Sequence, residues 1–202
     1  MQRLAWPWIT NAAFVVIGCT MVGFTHQLTR EYRSFTIGFS GVSSWMLALY
    51  LVAVLVFLIK PSNVNRSTFW IVIFFGIVCR FVALFPAPHL STDVYRYVWD
   101  GVVQHAHINP YRYVPGDSAL TFLRQPNRDL YDHMNRRDYA HTIYPPAAQI
   151  LFYVVTFVSP TVTFMKLSMV LFECVTMLGL VSCCARWASS ASGRCFMRGA
   201  RY

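Results

Sequence analysis

Leu90–Tyr113 reads LSTDVYRYVWDGVVQHAHINPYRY, a run too polar for the middle of a bilayer and too aromatic for a plain linker. Around it the chain is apolar. Phe14–Met21, Trp45–Ile59, Phe69–Val78 and Leu167–Val181 are stretches of the kind that lipid accepts. Asp, Arg, Tyr, Trp and His are costly to keep beside such stretches, so chemistry is sought first in this run. Composition sets the same frame. Of 202 residues, 56% are hydrophobic, 16% aromatic and only 12% charged, whereas soluble domains carry about 25% charged residues. The chain therefore reads as all-α, a polytopic membrane helix bundle with one polar helical loop.

The net charge of +9 does not make this a nucleic-acid binder. Residues 87–145 hold six Asp and six Arg, so the large polar segment is neutral while its His are neutral. The surplus lies at Arg3, Arg30, Arg33, Lys60, Arg66, Arg80 and the tail from Arg186 to Arg201. Basic residues beside membrane-spanning ends fix orientation or meet anionic headgroups. The six Cys form no C-x-x-C pair and lie largely in or beside apolar segments, where cysteine behaves as a small hydrophobe. The first apolar stretch has no clear small-residue cleavage site after it and reads as a span rather than a signal peptide.

Region 1–86 is expected to hold three membrane helices, near Trp8–Phe24, Val42–Ile59 and Thr68–Phe85. The polar segment Thr25–Ser40 links the first two, and Lys60-Pro61-Ser62-Asn63 stops the second. Region 87–145 is the loop. Ser91 or Thr92 can cap a helix over Asp93–Gln104, with Val94, Val98 and Val102 laid on the membrane surface. Asn109-Pro110-Tyr111 and Pro115-Gly116-Asp117 read as turns, with short helices near Leu120–Arg124 and Leu130–Tyr139. Region 146–185 returns to lipid. Pro145-Pro146 starts a helix whose apolar part, Ala147–Val158, is short for a crossing, and Thr163–Val181 follows. Region 186–202 is a basic tail expected to lack structure. If Arg3, Lys60 and Arg66 mark the cytoplasmic side, the loop faces outward. Five crossings would then put the basic tail outside too, against the positive-inside tendency. Either the last two segments do not both cross, or the tail is atypical.

Several loop residues have chemical potential. Asp93 reads either as a general base or as a first-turn acid favoured by the helix dipole. Asp100, seven residues on, either joins a binding site, orients Arg96 or ties the loop together. Its rise from Asp93, roughly 10 Å, is slightly wide for an inverting hydrolase pair. Arg96 and Arg112 suit phosphate, which guanidinium grips with paired donors, or they pair with the two acids. Lys166 either neutralises phosphate or pairs with Glu173 on the same helical face. Tyr97, Tyr111 and Tyr144 offer faces for a sugar or anchor the loop at headgroup depth. His105 and His107 alternate along the chain, and no third ligand completes a zinc pattern, so no metal site is assigned.

Three blocks in order carry a family resemblance: STDVYRYVWDG at 91–101, INPYRY at 108–113 and IYPPAAQILF at 143–152. Together they resemble the membrane-embedded glycosyltransferases of the C type. More narrowly, they are similar to polyprenol-phosphate-dependent mannosyltransferase-like proteins and, more distantly, to the first mannosyltransferase of glycolipid-anchor synthesis. The likeness spans about residues 68–185, with Lys166 and Glu173 matching a Lys and an acid in the next helix. It implies inverting transfer of mannose or another hexose from a polyprenyl- or dolichyl-phosphate donor to a lipid or glycan acceptor, with no cofactor. Asp93 takes the place of the catalytic loop acid, although Thr92-Asp93 stands where several relatives carry two adjacent acids. Arg96, Asp100, Arg112, Tyr97, Tyr111, Tyr144 and Lys166 become the substrate-binding set. The membrane implied is a bacterial plasma membrane or the endoplasmic reticulum, with the helical loop extracytoplasmic, outward or lumenal. Relatives continue for several more helices, so the resemblance also implies a truncated chain or one whose membrane partner supplies the missing helices. The alternative is a non-catalytic membrane subunit that binds lipid phosphate or a partner chain.

Overall fold

The structure, a computed structural model, describes residues 7–29, 35–59 and 65–199, and those residues form helices and turns without a strand. Among the described residues, four helices are long and apolar enough to cross a membrane, with candidate spans at Trp8–Leu28, Gly38–Ile59, Arg66–Leu84 and Val162–Cys184. The chain divides into two compact units, Met1–Thr92 and Asp93–Tyr202.

The first unit holds α1 (Pro7–Leu28), α2 (Phe35–Ile59) and α3 (Arg66–Leu84). Inside lipid every backbone polar group needs a partner from its own helix, so a hydrophobic segment stays helical through weak formers. That constraint explains why α2 starts at Phe35 and α1 continues to Leu28, both inside the expected link Thr25–Ser40. Arg30, Glu31, Arg33 and the stop at 60–63 lie outside the described residues. Hydroxyls in the spans obey the same rule: Thr20, Thr25 and Ser44 each donate to the carbonyl four residues earlier. At the start of α3, Asn65 and Thr68 form a reciprocal capping box. The Thr68 hydroxyl also donates to Asn11 Oδ1 at 2.6 Å, tying α1 to α3. Gly18 of α1 lies against the Phe75 ring of α3, where a Cβ would collide with the ring. The outer faces stay apolar and exposed, as at Trp45, Leu55 and Ile59 on α2, which is the surface that lipid covers.

The second unit is built around α4 (Asp93–His105). This helix forms where the sequence predicts it, but its apolar face is not laid on a membrane. Val98 and Trp99 are 0% and 1% exposed, and they share one core with Leu120, Leu130, Phe152 and Met165. The expectation of a surface helix fails because an amphipathic pattern fixes which face is apolar, not what covers it. A short 3-10 turn at Ser118–Leu120, α5 (Thr121–Arg124) and α6 (Arg128–His133) supply one side of that core. The helix expected over Leu130–Tyr139 ends early, since Met134 is extended (ψ 131°) and Arg136 turns left-handed (φ 51°).

Both expected turns are present. Asn109 Oδ1 accepts from the Tyr111 amide at 2.9 Å, and Asp117 Oδ1 accepts from the Ala119 amide at 2.9 Å. Next, α7 (Pro146–Val158) opens with Pro145 just outside and Pro146 at its first position, where a missing amide proton does no harm. It packs directly on α4, within the second unit. Finally, α8 (Val162–Gly199) continues as helix through most of the tail expected to lack structure. Once a helix is nucleated each further residue adds a hydrogen bond at little cost, and no Pro follows Pro160 to stop it.

Gly101 sets how closely α4 and α7 approach. A Cβ there would lie 2.7 Å from the Phe152 carbonyl oxygen and would strike the Thr156 side chain. Gly101→Ala should therefore destabilise the protein by about 1–3 kcal/mol, as overpacking of a core usually does. Gly23→Ala, where a Cβ meets nothing within 4 Å, should leave the thermal midpoint in detergent unchanged or slightly higher. Equal effects at the two positions would contradict this packing account.

Candidate functional site

Asp93, Arg96, Tyr97, Asp100 and Gln104 recur at helical spacing, so they form one ridge of α4. Residues 140–149 lie against it. Asp100, 1% exposed, is the inner anchor. Its Oδ1 accepts from Arg96 Nε at 3.0 Å, and its Oδ2 accepts from Thr142 Oγ1 at 2.5 Å and Gln149 Nε2 at 2.8 Å. The Arg96 guanidinium also donates from Nη2 to the Ala140 carbonyl at 3.1 Å. Gln104 Nε2 donates to Gln149 Oε1 and to the Gln149 carbonyl, both at 3.0 Å. The network thus joins α4, the extended segment at 140–142 and the first turn of α7.

A buried ion pair is tolerable only when further hydrogen bonds occupy its remaining lone pairs, which is the role of Thr142 and Gln149. Burial pushes the Asp100 carboxyl above the usual carboxylate range. The hydrogen bonds from Thr142 and Gln149, followed by the Arg96 charge, pull it partly back.

Towards the outer end, Tyr97 stacks on Phe152 with ring centres 4.7 Å apart, and it meets Tyr144 edge-on at 4.8 Å. Tyr111 Oη donates to the Tyr144 carbonyl at 2.5 Å, pinning the turn at 109–111 to the segment before α7. Burial pushes the Tyr144 phenol far above its usual range, and Tyr97 and the charges of Asp93 and Asp100 add to the shift. Tyr144 therefore remains a protonated hydroxyl. Asp93 itself is half-exposed in the first turn of α4, where the helix dipole favours an anion.

The residues singled out in the sequence separate into three groups. Asp93, Arg96, Tyr97 and Asp100 share the α4 ridge, and Tyr111 and Tyr144 join it through the aromatic contacts. Arg112 stands apart, exposed, with its guanidinium 5.1 Å from the Tyr113 ring centre. Lys166 is half-buried on α8 beside the core residue Met165, and Glu173 is exposed further along the same span. Both Asp100 oxygens have partners inside the unit, so Asp93 and Asp100 do not form a hydrolytic carboxylate pair.

Gln104, Thr142 and Gln149 escaped the sequence reading. Gln149 had a signal, as a lone amide in the apolar stretch Ala147–Val158. Thr142 had none. His105 and His107 diverge: the His105 ring lies 3.1 Å from Thr156 Oγ1, whereas His107 is exposed in a left-handed turn (φ 60°). Among the described residues, no three His, Cys, Asp or Glu side chains come together as metal ligands.

No family model, no curated protein and no solved structure matches the chain.

The direction of the Asp100 shift gives a pH signature. Its native value lies above the ordinary 3.8, so the folded state holds the proton more tightly than the unfolded chain. Stability from this group is full below the ordinary value and is lost as pH rises through the native one. Asp100→Asn cannot titrate. The thermal midpoint of the wild type minus that of Asp100→Asn should fall as pH rises above the ordinary carboxyl range, because desolvation outweighs ion pairing here. A difference that grows with pH would mean that attraction to Arg96 dominates.

Proposed function

We propose that the chain is a membrane glycosyltransferase that takes a hexose, mannose by family resemblance, from a polyprenyl- or dolichyl-phosphate donor. The acceptor is a hydroxyl of a lipid or glycan. One observation carries the reading: Asp93 is half-exposed at one end of a ridge whose other end is locked by Asp100, and Tyr97 of the same ridge meets Tyr144 edge-on. The three sequence blocks that resemble the C-type enzymes supply the residues of this ridge and its aromatic flank.

In the proposed step the acceptor oxygen attacks the anomeric carbon while its proton passes to the Asp93 carboxylate. The bond from the anomeric carbon to the phosphate oxygen breaks, and the electron pair leaves on the lipid phosphate. Phosphate is a good leaving group, so the step needs one base within hydrogen-bond reach of the acceptor and no second carboxylic acid. Arg112, exposed beside the aromatic turn, is the guanidinium suited to meet that phosphate. Lys166 is a second candidate for that contact. Arg96 and Asp100, held by internal partners, act as positioning residues. Tyr97, Tyr111 and Tyr144 form the wall against which a sugar ring would rest. The reading implies a bacterial plasma membrane or the endoplasmic reticulum, with the loop on the outer or lumenal side.

The same ridge suits the second reading, a non-catalytic subunit, since a locked Asp100 also makes a rigid binding surface. The full chain in liposomes, given labelled polyprenyl-phosphate mannose and glycolipid acceptors, separates the two. Transfer is expected, with Asp93→Asn lowering kcat by about 10²–10⁴ at an unchanged thermal midpoint. Wild-type chain that binds the donors yet transfers nothing from mannosyl or glucosyl lipid phosphates would favour the subunit.

A further inference from the structure

The helix α7 has two unlike sides. At 13 residues the helix rises about 20 Å, well short of the ~30 Å hydrocarbon core. Its buried residues Gln149, Phe152, Val155 and Thr156 line the side that meets the unit's core and network. That core includes α4 with the Arg96–Asp100 pair, and α4 also packs against α6. On α6 the side chains of Arg128 and Asp129 are 82% and 86% exposed. If α7 crossed the membrane, it would drag this charged surface into hydrocarbon, where each such group is costly.

The other side of α7 is nevertheless apolar and open. Ile150, Val154, Phe157 and Val158 are 64%, 55%, 75% and 68% exposed, and Ile143 just before the helix is 85% exposed. Only Ser159, Pro160 and Thr161 separate this row from α8, whose span Val162–Cys184 exposes its apolar side chains from Leu171 onward. The row is therefore continuous with a surface that lipid already covers.

We infer that α7 is an interfacial helix whose Ile150–Val158 row is embedded in the leaflet beside the loop, and that α8 is the single crossing in this unit. Acyl chains are the occupant of the row. Ser159 then lies on the same side of the membrane as Ser118, and Arg186 lies on the opposite side. With α1, α2 and α3 the chain crosses four times. This arrangement does not depend on glycosyl transfer.

Full-length variants with a single cysteine at position 118, 159 or 186 (Ser118→Cys, Ser159→Cys, Arg186→Cys, other cysteines replaced by Ala) can be labelled with a membrane-impermeant maleimide in oriented vesicles. The 118 and 159 thiols should react from one side and the 186 thiol only from the other. Reaction of 118 together with 186 from one side, with 159 reacting only from the other, would show that α7 crosses as well as α8 and would overturn the inference. If the cysteine-depleted chain does not fold, glycosylation acceptor sites inserted at the same three positions in the native chain give the same side-by-side readout in microsomes. A spin label at Val154 or Phe157 tests the occupant. Broadening by oxygen well above that by a water-soluble nickel complex is expected, whereas shielding from both would mean that a protein chain covers the row and that the leaflet does not.

Discussion

Asp100 sits at 1% exposure between Arg96, Thr142 and Gln149, three donors that come from its own helix, from the segment after α6 and from the start of α7. A carboxyl group placed there has lost its water, and losing any one donor would leave part of it unsatisfied in a low-dielectric core. The arrangement is therefore close to all-or-none. It fixes the rotation of α4, because a turned helix would bury a different residue opposite Gln149. It also fixes the depth of α7, which Gly101 lets approach until backbone nearly meets backbone. The chemistry proposed for Asp93 depends on that rotation, since Asp93 lies two turns up the same ridge.

The two acids of α4 thus have opposite environments from one helical face. Asp100 is enclosed and serves the fold, while Asp93 keeps access to the outside. Arg96 and Arg112 divide in the same way: the first is buried in the network and the second is open beside Tyr113. A cluster that looks uniform in sequence is therefore a rigid inner half and an accessible outer half. Preorganisation of the outer groups by the inner ones is the ordinary way for a site on a helix to hold its geometry.

Much of this was legible from local pattern. The all-α membrane character, the start of α4 at Asp93, the turns at 109–111 and 115–117, and the opening of α7 at the paired prolines all follow from signals within a few residues. What covers α4 was not legible, because Val94, Val98 and Val102 would suit lipid or a protein core equally well. Nor was the partner set of Asp100, since Thr142 and Gln149 lie 42 and 49 residues away and hydrogen-bond geometry at that distance leaves no periodic trace. The tail, helical to Gly199, differs from expectation for another reason. Its weak amphipathicity says little about whether a long helix already under way will stop.

The claim that the buried network holds the second unit together is tested most directly by a double-mutant cycle. Reversible unfolding of Asp100→Asn, Gln149→Leu and the double variant in detergent gives the coupling between the two side chains. The network account predicts a coupling of about 1 kcal/mol or more, as for contacting groups in one hydrogen-bonded cluster. Additivity within about 0.3 kcal/mol, the behaviour of independent sites, would contradict it.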